Sequence, residues 1–169
     1  MKRLAIAVSM LAIGAAGCGG SSPASPDPST IKVFTVQLLP SLETPPITNA
    51  ENSGHGTAVI TIHTDTNTVD FAINMSGFPA NTNVILAHIH PGAIGVPGPA
   101  LIGVTGLSAS TPLLLANGAG TYTANGVTAS TKSATAAENI AAILAAPQNF
   151  YFNVHTTNNP GGVMRGQLQ

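Results

Sequence analysis

Hydrophobic and polar residues alternate with a period of two through much of this chain, the pattern of strands that bury one face. From Ile31 to Leu39, Phe34, Val36 and Leu38 alternate with Thr35 and Gln37. From His55 to Thr64, Ala58, Ile60 and Ile62 mark the core face, leaving His55, Thr57, Thr61 and His63 mainly outward. From Thr68 to Ser76 the apolar set is Val69, Phe71, Ile73 and Met75. Asp65-Thr66-Asn67 supplies turn chemistry between these two runs, so they read as a hairpin. Pro45-Pro46 and Gly77-Phe78-Pro79 interrupt the pattern, since proline removes a ladder donor.

A further strand is expected at about Asn83 to His90, with Ile85, Ala87 and Ile89 on one face and His88 and His90 on the other. Periodicity is weaker at Ala100 to Thr105, Thr111 to Leu115 and Gly120 to Ala124, and strong again at Phe150 to Thr156 and Val163 to Leu168. In Phe150 to His155 the apolar face is Phe150, Phe152 and Val154, with Tyr151, Asn153 and His155 opposite. If Phe152 and Val154 share a core with Met164 and Leu168, paired residue numbers sum to an even value, because a one-residue slip would turn one set outward. His155 then lies opposite or diagonal to Arg165. The single helical stretch is Thr135 to Ala146: Thr135 and Glu138 fit a capping box, Ile140, Ile143 and Leu144 form a stripe, and Pro147 ends it. The sum is an all-β fold, an antiparallel Greek-key-like sandwich or flattened barrel of about 7–9 strands with one short helix near 135–146.

Composition agrees with short strands and tight turns: 7% of residues are charged, 44% are hydrophobic, and glycine and proline number 18 and 13. The absence of Trp and the low aromatic content, 4%, imply a core of Val, Ile, Leu and Ala. No basic cluster exists to recruit nucleic acid.

Residues 1–17 read as a secretory signal peptide: Met1-Lys2-Arg3 precede an apolar run from Leu4 to Ala16 that is too short to span a bilayer. Ala15-Ala16-Gly17-Cys18 resembles a bacterial lipobox with Ala15 in place of the usual Leu, which makes Cys18 the expected lipidation site. The lone cysteine excludes an intrachain disulfide. Residues 18–30 are Gly/Ser/Pro-rich and read as a tether, and 31–169 as one β domain. Without its first 17 residues the chain keeps Lys32, Lys132 and Arg165 against six acidic residues, a net charge of −3. Membrane attachment therefore falls to acyl chains on Cys18. The expected location is the cell envelope, at the outer membrane or cell surface, since Gly19 rather than Asp follows the cysteine.

The ordered motifs of the domain resemble the CHRD family, a module repeated in the animal protein chordin and found singly in bacterial secreted proteins and lipoproteins. The carriers are Leu42-Glu43-Thr44-Pro45-Pro46, Gly54-His55-Gly56, Ala87-His88-Ile89-His90-Pro91-Gly92 with Gly98-Pro99, Tyr151 to Thr156, and Pro160 to Leu168. Where the family commonly has Gly-Glu, this chain has Gly162-Val163. The resemblance implies a sandwich-like extracellular binding or structural module without established catalysis. An envelope protein or polysaccharide is the class of partner that follows.

His88 and His90 lie two residues apart on one strand face, a span of about 7 Å over which imidazoles can converge on one ion. With His155 as a third ligand they form a candidate mononuclear site for Cu²⁺ or Zn²⁺. His-x-His on a strand, with a later His and an Arg near the C-terminus, is similar in outline to copper/zinc superoxide dismutase, where the Arg attracts an anionic substrate. No histidine stands between His90 and His155, so that family's bridging ligand and zinc cluster have no counterpart. Arg165 and Glu43 are the candidates for an anion-binding or polar pocket beside the imidazoles. The alternative is structural: the three histidines hydrogen-bond to neighbouring strands and pin the Pro91 to Pro99 loop. No nucleophile elbow is present, and no catalytic residue is assigned.

Overall fold

The computed structural model describes residues 30–131 and 133–169. The expected signal peptide, Cys18 and residues 18–29 of the tether lie outside the described residues. Among the described residues, nine strands form two antiparallel sheets packed face to face, a sandwich and not a closed barrel, with one α-helix. The first sheet runs in the order β1 (Ile31–Leu38), β2 (His55–His63), β3 (Thr68–Ser76), β7 (Gly120–Thr128). The second runs β5 (Ile102–Gly103), β4 (Thr82–Pro91), β8 (Phe150–Thr156), β9 (Met164–Gln167), with β6 (Leu113–Leu115) also paired to β4.

Alternation explains the core. Phe34, Val36 and Leu38 of β1, Ala58, Ile60 and Ile62 of β2, and Val69, Phe71, Ile73 and Met75 of β3 are all buried. They meet Ala87, Ile89, Phe152, Val154 and Met164 of the second sheet. The Phe71 and Phe152 rings stack across the interface with centroids 5.6 Å apart. The helix α1 (Ala136–Ala145) carries the capping box in full: Glu138 N–H donates to Thr135 Oγ1, and Thr135 N–H donates to the Glu138 carboxylate. Ile140 and Ile143 are buried and Leu144 packs at the margin of the core.

Three departures from the expected elements have local causes. A bulge between Val84 and Leu86 shifts the register against β8, so Val84, rather than Ile85, joins the central core with Ala87 and Ile89. The strand begun at Gly120 does not stop at Ala124. It continues to Thr128 through a bulge at which Gly126 takes φ +63° and donates its N–H to Asp70 Oδ1 at 2.7 Å. The stretches Ala100 to Thr105 and Thr111 to Leu115 shorten to Ile102–Gly103 and Leu113–Leu115, both laid along the same strand, β4.

The register of the last hairpin follows the even-sum rule: Asn153 pairs with Arg165, Val154 with Met164 and Tyr151 with Gln167. His155 is thus diagonal to Arg165. At one corner the two sheets are tied, since Leu39 and Arg165 exchange backbone hydrogen bonds of 3.1 and 3.3 Å. Gly166 is required there, because a Cβ would enter the Gln37 carbonyl oxygen. Every residue of β8 is buried. Its Phe150, Phe152 and Val154 face the core, while Tyr151, Asn153 and His155 are covered on the other face by loops, and that second buried layer is polar.

Candidate metal centre

Strand alternation puts His88 and His90 of β4 on the face away from the core, and β8 lies beside β4 with His88 paired to Asn153 and His90 to Tyr151. His155 reaches the same face from β8. The His88 ring centroid is 5.4 Å from that of His90 and 5.0 Å from that of His155, and the His90 and His155 rings are 6.3 Å apart. One ligand nitrogen from each imidazole lies within 4.8 Å of the others. Nitrogens around a tetrahedral ion with bonds of about 2.0–2.1 Å sit about 3.4 Å apart. The trio closes to that spacing by side-chain adjustments of roughly 1.4 Å at most.

The hydrogen bonds fix the tautomers of two of the rings. His155 Nδ1 stands 2.9 Å from the Pro160 carbonyl and His90 Nδ1 stands 3.0 Å from the Gly98 carbonyl. A carbonyl can only accept, so both rings carry their proton on Nδ1 and keep the Nε2 lone pair. His90 Nε2 is buried with no hydrogen-bond partner. His155 Nε2 faces His88 Nδ1 at 3.1 Å and Asn153 Oδ1 at 3.0 Å. The His88 N–H can serve that lone pair, whereas the amide oxygen offers it only a second acceptor.

Electrostatics keep the rings neutral. His88 is pushed down to about 4, first by burial and then by His155 and His90. Burial likewise holds His90 and His155 below the ordinary histidine value, against the upward pull of the Gly98 and Pro160 carbonyls. His88 is half-buried while His90 and His155 are buried, so His88 marks the solvent side of the cluster. Neutral imidazoles with no carboxylate or thiolate among them suit copper or zinc and are a poor set for calcium or magnesium.

Arg165 and Glu43 adjoin this layer without joining the trio. Arg165 lies with its guanidinium carbon 4.6 Å from the Tyr151 ring centroid, and His90 stacks on the same ring at 4.9 Å and 4°. Its Nε donates to the Leu42 carbonyl at 2.5 Å and an Nη to Thr44 Oγ1. Glu43 Oε2 is 3.9 Å from Arg165 Nε, a loose pairing between two buried groups. Burial raises Glu43 to about 7, with Arg165 opposing the rise. Arg165 borders one hollow and Glu43 another. His55 and His63 stand apart from the cluster, bonded to Ser76 and Asp70 respectively.

Glu51 is a contributor that alternation does not single out. It is 2% exposed, and its carboxylate accepts from Thr156 Oγ1 at 2.5 Å, Asn158 Nδ2 at 2.9 Å and Asn159 Nδ2 at 2.5 Å. This fixes the 157–162 loop that brings Pro160 to His155. An acid followed by Asn52-Ser53-Gly54 reads as a solvated turn, so only the fold reveals the clamp.

No curated protein and no solved structure matches the chain significantly. A family profile does: the CHRD domain, over residues 34–168, which takes in every strand but the first residues of β1 and all three histidines. The chain belongs to the CHRD domain family.

Proposed function

We propose that this chain is a non-catalytic binding module of the cell envelope, and that the CHRD domain binds one copper or zinc ion through His88, His90 and His155. The observation that carries this reading is the pair of backbone carbonyls, Gly98 and Pro160, that hold the Nδ1 protons of His90 and His155. Ligating histidines are oriented in this way, with the far nitrogen donating to a carbonyl and the near one turned to the metal, which at His155 would replace the hydrogen bond from His88. The same bonds fasten two loops to the sheet, so the domain is rigid where the ion would sit. Export and attachment through Cys18 rest on the sequence from Met1 to Cys18. No turnover is proposed, because nothing here replaces the second metal and bridging ligand of the dismutases.

Metal analysis of protein purified without a histidine tag tests the reading. Near-stoichiometric copper or zinc in the wild type, lost in a His88→Ala/His90→Ala variant, is the expected result. Equal metal in both proteins, or none in either after incubation with each ion, would refute it. Fractionation of a Cys18→Ser variant tests the anchor: release from membranes is expected, and retention contradicts lipidation.

A further inference from the structure

A hollow of about 280 Å³ lies at the corner where β1 and β9 meet, under the tip of the loop that follows β4. Arg165 borders it, together with Gln37, Gln167, Leu42 and Ile94. Among the described residues no acidic side chain does. Arg165 is only 4% exposed, and a buried guanidinium is costly unless a counter-ion neutralises it. Among the described residues Glu43 is the only acid within ion-pair reach, loosely at 3.9 Å, and it faces the other hollow. Arg165 therefore has only this loose counter-ion, and it stands on the side away from the hollow.

The rim is apolar. Ile94 is 78% exposed and Leu42 42% exposed, and neither is used by the core. A volume just under the usual range for drug-sized ligands restricts the occupant to a small molecule. We propose that this hollow binds a short aliphatic monocarboxylate, its carboxylate paired with Arg165 and its chain lying between Leu42 and Ile94. The site is separate from the imidazoles, and its occupancy does not need the metal.

Hexanoate and its neutral counterpart hexan-1-ol, titrated calorimetrically at neutral pH into chelator-treated protein, provide the test. Working without metal keeps this result independent of the imidazole site. Hexanoate should bind saturably, and hexan-1-ol about tenfold or more weakly, since a hydrogen-bonded charge pair is lost. Ile94→Glu, at an exposed tip where the fold tolerates change, should weaken hexanoate by about tenfold or more while leaving the circular dichroism spectrum intact. Equal binding of acid and alcohol, no saturable binding of hexanoate, or indifference to Ile94→Glu would overturn the proposal.

Discussion

His88 Nδ1 and His155 Nε2 stand 3.1 Å apart although 67 positions separate the two residues in the chain. The contact exists because β8 is laid antiparallel beside β4, and because alternation on both strands directs these side chains away from the hydrophobic interior. The result is a second buried layer, polar and roofed by loops, on a strand already buried from the other side.

Acid sensitivity follows from that layer. In the unfolded chain histidines titrate near 6.5, whereas in the fold His88 is held at about 4 and His90 and His155 are also lowered. Between pH 6.5 and about 4 the unfolded chain therefore binds more protons, and stability falls as the pH drops. Glu43 acts in the opposite sense: raised from 4.5 to about 7, it favours the fold as pH falls through that interval. Urea midpoints measured across this range should fall towards acid in wild type. In Glu43→Gln the fall should be steeper, with the variant gaining on wild type as the pH rises from 5 to 8. A pH-independent difference between the two proteins would contradict this assignment.

Gly98 links the loop to the site. Its carbonyl accepts from His90 and its N–H donates to the Tyr151 hydroxyl at 3.2 Å. A Cβ there would enter the Pro91 carbonyl oxygen, so Gly98→Ala must displace the loop. We predict a metal affinity about 10–100-fold lower, read by competition with a chelator, with all three ligands still present. Unchanged affinity would show that the carbonyl does not orient His90.

Glu51 should prove the most sensitive position outside the core. Glu51→Ala removes the acceptor of three donors, of which Thr156 Oγ1 is fully buried while Asn158 is exposed and Asn159 half-buried, and we predict a loss of about 2 kcal/mol in urea unfolding. Glu51→Gln keeps an acceptor oxygen and should recover part of the loss. A change under about 0.5 kcal/mol for Glu51→Ala, typical of surface sites, would mean that the clamp is absent in solution.

The strands β1, β2, β3 and β8 were legible because each alternates cleanly, whereas β5, β6 and β7 alternate weakly and their ends were not; the helix was legible because Thr135, Glu138 and Pro147 mark its ends. The even register of the last hairpin was legible too, since Val154 and Met164 have to share the core. The bulge at Val84 to Leu86 was not: Val84-Ile85-Leu86 is apolar throughout, so alternation cannot say which residue turns inward. The histidine types and their faces were open to reading, but the carbonyls that set their tautomers belong to loops, where backbone direction follows from tertiary closure and not from residue pattern. Glu51 was hidden for the same reason, because its partners lie more than 100 residues away.

The most direct measurement is X-ray absorption on protein loaded with copper or zinc, compared with His88→Ala. The account predicts a first shell dominated by three imidazole nitrogens at about 2.0 Å in wild type, falling to two in the variant with weaker retention. A shell built of oxygen ligands, or one that His88→Ala leaves unchanged, would contradict it.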